Sequence, residues 1–298
     1  MGLHFLKIKS KLLLFDLSSW NVGNCIVLYR PKVFALMDHP DLSLQFMSAY
    51  IAHPKHHSAL KNHRSLIKPK QKSAICLLTL TYYLLKMKIA VFGAGGRIGS
   101  RIVNEALNRG HDVTAIARHP ENYTLERPHL HVTRGDLFKT QDVEAAVFDH
   151  DAVVCAYNNT HGAAPSTFTE ITVPLLNGLK QAGVKRLLIV GGAGSLEVSP
   201  GVQLVDTPAF PEAYKEAALA HREALKIYRQ EKEIEWTYLS PAAEIAPGDR
   251  TCRFRTGTDQ LLTDSQGKSF ISMEDFAVAV IDELTNPQHI RERFTVGY

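Results

Sequence analysis

The chain has 298 residues, 45% hydrophobic and 21% charged, an ordinary make-up for a globular protein with room for one large domain or two small ones. Its net charge of +4 conceals a break: residues 1–86 hold 12 Lys/Arg against 3 Asp/Glu, and residues 87–298 hold 22 against 27. The longer part is thus acidic and gives no reason to expect a nucleic-acid partner. Cys25, Cys76, Cys155 and Cys252 form no CxxC, which argues against a disulfide framework or a metal site and suits a reducing, cytoplasmic setting.

Residues 1–86 show no sustained period of 3.6 or 2, no glycine-rich turn, and six of the fourteen histidines. The apolar run Ala74 to Leu85 follows Lys68, Lys70 and Lys72, like the basic start of a signal peptide. Its twelve residues fall short of a membrane span of about 20, and no small-residue cleavage site follows. Leu6 stands where a myristoylation motif needs Ser or Thr, so no membrane attachment is expected from it. Three readings stay open for this segment: a disordered or loosely helical basic extension, an anchor to an acidic surface, and a misplaced start with Met87 as the first native residue. The last leads, because a complete folding unit begins at Met87, where the composition changes.

Met87 to Phe92 is apolar at nearly every position, as a central parallel strand should be. It runs into Gly93, Ala94, Gly95, Gly96, Arg97, Ile98 and Gly99, and then into a helix with Ile102, Val103, Ala106 and Leu107 on one face, closed by Gly110. Strand, glycine turn and helix in that order mark a dinucleotide-binding loop. Gly93 allows the tight turn, Gly96 lets backbone amides approach a pyrophosphate, and Gly99 lets the helix pack closely on the sheet, with its N-terminus supplying positive charge. The spacing is GxxGxxG, so the flanks rather than the glycines alone carry the reading.

The second strand, Asp112 to Ala117, ends on Arg118 and His119, where an NAD site usually has an acid for the ribose hydroxyls. Arg118, helped by Arg97, can pair with a 2′-phosphate, so NADPH is the expected cofactor; the alternative of two solvated surface arginines stays open. A third strand, His129 to Thr133, leads to Asp136 and Leu137 at the edge where adenine would lie. Asp136 reads equally well as the cap of a helix beginning near Gln141.

Asp151 to Ala156 is the fourth strand, followed by Tyr157; a helix over Thr167–Ala182 ends at Gly183. Val184 to Val190 is the fifth strand, ending in Gly191, Gly192 and on to Ser195; a helix follows over Glu212–Gln230. Ile234 to Leu239 is the sixth, with Pro241 just beyond. An irregular stretch follows, then a last helix opened by Ser272 and Asp275 in a capping box, and an edge strand over Arg293–Tyr298. The pattern predicts an α/β, Rossmann-type doubly wound parallel sheet in one domain, preceded by the non-conforming N-terminal segment. The crevice should gather Gly93–Gly99, Ala156, Tyr157, Gly191–Ser195 and Ser240–Glu244 at the strands' carboxyl ends.

Met87-Lys-Ile-Ala-Val-Phe-Gly-Ala-Gly-Gly-Arg-Ile-Gly99, Val190-Gly-Gly-Ala-Gly-Ser-Leu196 and Trp236-Thr-Tyr-Leu-Ser-Pro-Ala242 together resemble the bacterial NADH-flavin reductase type of atypical short-chain dehydrogenases, related to NmrA-like proteins and biliverdin reductase B. The resemblance covers residues 87–298 and none of 1–86. It implies an NAD(P)H-binding fold with FMN, another flavin, or some other small conjugated acceptor over the nicotinamide. The chain departs from relatives that use Ser with Tyr-x-x-x-Lys: Tyr214 is followed by Lys215 and, four residues on, by Ala218. Pro241 is followed by Ala242 rather than His, and Cys252 stands where the resemblance leads one to expect glycine. Ser195 is expected to bind or orient something at the nicotinamide end, Tyr214 is the candidate acid, and His221 reads as a partly exposed helix residue. The resulting expectation is an NADPH-dependent reductase acting on a flavin-like acceptor; an NADP(H)-binding sensor without turnover and an epimerase or isomerase are the alternatives.

Overall fold

The computed structural model describes residues 86–157 and 167–298, with the backbone of residues 6–8 and 11–13. The chain divides into two units, Met1–Tyr82 and Tyr83–Tyr298. In the first, β1 (Leu6–Ile8) and β2 (Lys11–Leu13) pair antiparallel, Leu6 opposite Leu13. The remaining expectations for residues 1–85, and Asn158 and Asn159 after the fourth strand, lie outside the described residues.

The second unit alternates strands and helices. β3 (Lys88–Phe92) leads to α1 (Gly99–Asn108), β4 (Asp112–Ala117), β5 (Leu130–Arg134), α2 (Thr140–Val147), β6 (Ala152–Cys155), α3 (Thr167–Ala182) and β7 (Arg186–Val190). After the short β8 (Glu197–Ser199) and β9 (Val202–Gln203) come α4 (Glu212–Gln230), β10 (Glu235–Ser240), β11 (Glu244–Ala246), β12 (Arg255–Gly257), β13 (Phe270–Ser272), α5 (Met273–Thr285) and β14 (Glu292–Gly297). The main sheet runs β12-β14-β10-β7-β6-β3-β4-β5, parallel throughout except for β12. This is the doubly wound arrangement the alternation predicted, and its strand order reverses between β3 and β6.

Strand parity builds the two cores. Ile89 and Val91 join Ile102, Val103 and Ala106 of α1 and Phe276 and Val280 of α5 on one face. Ala90 and Phe92 join Val143 of α2, Leu175 of α3 and Tyr228 of α4 on the other. A strand covered on both faces needs apolar side chains at odd and even positions alike, which is why β3, β6 and β7 read as continuous apolar runs. Among the described residues, no helix is long and apolar enough to cross a membrane.

Two expectations need correction. The strand at the C-terminus lies between β10 and β12, so β12 and not β14 forms the edge. The irregular stretch after β10 contains β11, β12 and β13, each only three residues long. Three residues carry too little alternation to reveal a strand before a partner is known.

Candidate dinucleotide site

The glycine loop leaves the carboxyl end of β3 with Gly93 at φ +75°, where a Cβ would stand 2.5 Å from the Ala156 carbonyl oxygen. The turn closes by Gly96 N–H donating to Gly93 O at 2.9 Å. The amides of Arg97, Ile98 and Gly99 have no partner among the described residues, and they sit at the N-terminus of α1. Unpaired amides at a helix N-terminus make a site for a phosphate anion. A Cβ at Gly96 would meet only Gly93 O, at 3.2 Å, so the space before the loop stays open. At Gly99 it would stand 2.0 Å from the same oxygen. Gly99 therefore lets the helix close on the turn itself, a tighter restriction than the expected packing on the sheet.

Each remaining candidate has a definite place. Ala94 is buried in the core, Gly95 and Arg97 are exposed, and Ile98 packs against the apolar cluster under α1. Arg118, at the end of β4, is exposed, and neither its guanidinium nor that of Arg97 is paired with a described residue. Asp136 accepts a hydrogen bond from Phe138 N at 3.1 Å, while Lys139 occupies the N-cap of α2 without a side-chain bond. Asp136 thus closes a turn ahead of the helix, which corrects the capping alternative. The Leu137 side chain belongs to the core. Tyr123, which sequence reasoning missed, lies beside Gly95, 3.9 Å from where its Cβ would be. No periodicity marks it, because it follows a single 3-10 turn.

Ala156 and Tyr157 leave β6 beside Gly93, with Ala156 N–H donating to Phe92 O. Burial raises the pKa of Tyr157, and the charge of Arg118 works against that shift. The Tyr157 and Phe168 rings meet edge to face at 5.9 Å, and Phe168 lies 3.8 Å from the His221 ring. Cys155, at the end of β6, is buried and its thiol is pushed up to about 11, so it is no nucleophile.

Gly191 and Gly192 leave β7 over the Tyr238 and His221 rings respectively. A Cβ at Gly191 would stand 2.0 Å from Tyr238 Cε1, and one at Gly192 3.1 Å from His221 Cγ. His221 Nδ1 lies 3.0 Å from Tyr238 Oη, and burial drops its pKa to about 4. His221 is partly exposed on its helix, as expected, and the sequence did not show that its ring is wedged between Phe168, Gly192 and Tyr238. Only the tertiary fold joins these residues, which lie on α3, a loop, α4 and β10.

No hydrogen bond links the two catalytic candidates, Ser195 and Tyr214. Ser195 is buried and its Oγ accepts from Arg293 Nη1 at 3.2 Å, while Arg293 also holds Asp259. Tyr214 is 67% exposed on the first turn of α4, and its neighbour Lys215 pairs with Glu212 instead. Pro241 is buried just after β10, and the amide of Ala243 is held by Ser269 Oγ at 3.0 Å.

The comparisons agree with this geometry. A family model described as NAD(P)H-binding matches residues 93–287. YwnB, an uncharacterized protein of Bacillus subtilis, is 42% identical over 216 residues, covering 70% of this chain and 98% of YwnB. A solved structure from Bacteroides thetaiotaomicron, provisionally named an epimerase, is 43% identical with a TM-score of 0.67, covering 72% of this chain and 97% of that one. Another from Streptococcus pneumoniae, provisionally named an NADH-flavin reductase, is 33% identical with a TM-score of 0.61, covering 71% and 99%. The open amides, the glycine turn and the doubly wound sheet are what a nicotinamide dinucleotide needs, and the chain belongs to the NAD(P)H-binding family, within the atypical short-chain dehydrogenase, NmrA-like group its sequence resembles.

Proposed function

We propose that the protein is an NADPH-dependent reductase whose acceptor is a flavin-like conjugated ring such as FMN. The observation that carries this reading is the aromatic cluster of Tyr157, Phe168 and His221, in which Tyr157 leaves β6 beside Gly93 of the dinucleotide loop and the His221 ring lies against Gly192 after β7. Bound there, the nicotinamide supplies a hydride, and a flavin that takes it can draw its proton from water. The chain then needs to hold and align two rings rather than donate a proton, which suits a site whose Tyr214 is exposed and unpartnered by a lysine. The amides of Arg97, Ile98 and Gly99 bind the pyrophosphate, and Arg97 and Arg118 read the 2′-phosphate. The name of the Streptococcus pneumoniae neighbour supports the same acceptor class.

The test is steady oxidation of NADPH by the full chain with FMN, set beside NADH. A charge-assisted hydrogen bond is worth roughly 1.5–3 kcal/mol, so Arg118→Ala should weaken NADPH binding by about 10–150-fold and leave NADH almost unchanged. An equal loss for both cofactors removes the phosphate-reading role. Tight binding of NADPH without consumption in the presence of FMN would favour the sensor, and interconversion of a substrate's stereoisomers without net oxidation would favour the epimerase.

A further inference from the structure

We infer that Nε2 of His221 accepts a hydrogen bond from a ring N–H of the hydride acceptor, so that the site takes conjugated heterocycles carrying an imide or lactam N–H. This rests on the flavin-reductase reading above and adds the group by which the ring is recognised. Tyr238 Oη donates to the His221 carbonyl oxygen at 3.2 Å and also lies 3.0 Å from His221 Nδ1. A phenol has one proton to give. With that proton on the carbonyl, the contact to Nδ1 is a hydrogen bond only if Nδ1 carries its own proton and donates to the phenol oxygen. The imidazole is neutral at pH 7, its pKa pushed to about 4, so Nε2 is then left with a bare lone pair.

Nε2 makes no hydrogen bond to any described residue, and the His221 side chain is only half-buried. The adjacent ring carbon, Cδ2, lies 3.2 Å from where a Cβ of Gly192 would be, on the loop after β7. Phe168 backs the ring at 3.8 Å and fixes its plane. In that tautomer the open Nε2 selects for a donor, and the oxidised flavin ring carries one such N–H, in its imide. Tyr238 is a positioning residue here: it sets which imidazole nitrogen is free.

The experiment measures binding, so it does not depend on turnover. The full chain with NADP⁺ is titrated with lumiflavin and with its N3-methyl derivative, following flavin fluorescence. A neutral hydrogen bond predicts that lumiflavin binds about 3–10-fold more tightly, and that His221→Phe, which keeps a ring against Phe168, binds both alike. The preference is read first in the unmodified protein, so it does not require the variant to fold. In the same protein the imidazole ¹⁵N resonances should report the Nδ1–H tautomer, and Nε2 should shift with lumiflavin only. Equal binding of the two flavins, or an unprotonated Nδ1, overturns the inference and leaves the flavin reading standing. No binding of either flavin overturns both.

Discussion

Three glycines of one loop, Gly93, Gly96 and Gly99, have different reasons to be glycine. Gly93 takes a positive φ with the Ala156 backbone against it, Gly99 has no room for a Cβ, and Gly96 would hold one only tightly, 3.2 Å from Gly93 O, at the open cradle. Gly96→Val, whose Cβ crowds only one carbonyl at the surface, should still unfold cooperatively, yet lose NAD(P)H binding. Gly99→Val should instead lose cooperative unfolding, because its Cβ has only backbone to displace. Thermal melts paired with dinucleotide titrations check both, and retained NADPH affinity in Gly96→Val would show that the cradle is not where the pyrophosphate binds. Cys252 belongs at this scale too: it adopts φ +56°, the left-handed region that explains why the resemblance led to an expectation of glycine there.

At the scale of elements, the join between β7 and α5 rests on a buried ion pair. Arg186 Nη2 donates to Glu283 Oε1 at 3.0 Å, and Glu283 also accepts from the amides of Gln288 and His289 and from His289 Nδ1. Both side chains are less than a tenth exposed. Glu283→Ala leaves a guanidinium buried without its counter-ion and should lower stability by about 3–5 kcal/mol, or roughly 10 °C. Replacing both, as Arg186→Met with Glu283→Leu, should recover most of that loss. Denaturant melts of the single and double variants decide it: equal losses would mean that the pair itself, and not an abandoned charge, sets the effect. A second clamp has Glu105 of α1 accepting from Arg109 and from Arg250, tying the segment before β12 to the first helix.

Over the whole molecule, two histidines make stability depend on pH. His111, buried beside the Met87 amide that donates to its Nδ1, and His221 are each held by burial at about 4, against 6.5 unfolded. Between those values the unfolded chain takes up protons that the fold refuses. Stability is therefore complete above pH 6.5 and falls as the pH drops toward 4. At pH 5 the loss from His111 is on the order of 2 kcal/mol. His111→Asn keeps an acceptor for the Met87 amide and does not titrate. The stability difference between pH 7.5 and pH 5 should shrink in that variant by about this amount, measured from urea midpoints. An unchanged difference would mean that His111 takes up its proton in the folded state.

The apolar runs of β3, β6 and β7 and the glycine turn were legible because each is local: a strand buried on both faces must be apolar at every position, and a turn with no room for a Cβ must use glycine. The doubly wound sheet follows from their alternation with helices, and the phosphate cradle from the turn's position before α1. The surroundings of Ser195 and His221 could not be read that way. Ser195 looked available in the sequence, yet Arg293, about a hundred residues away, holds it from within the core. His221 looked like one polar residue on an amphipathic helix, yet Phe168, Gly192 and Tyr238 from three other segments pack around its ring. Hydrophobic periodicity reports which face of an element is buried, but not which side chains meet there, so the sequence determined the dinucleotide fold and only the tertiary structure decided which side chains meet at the ends of β6 and β7.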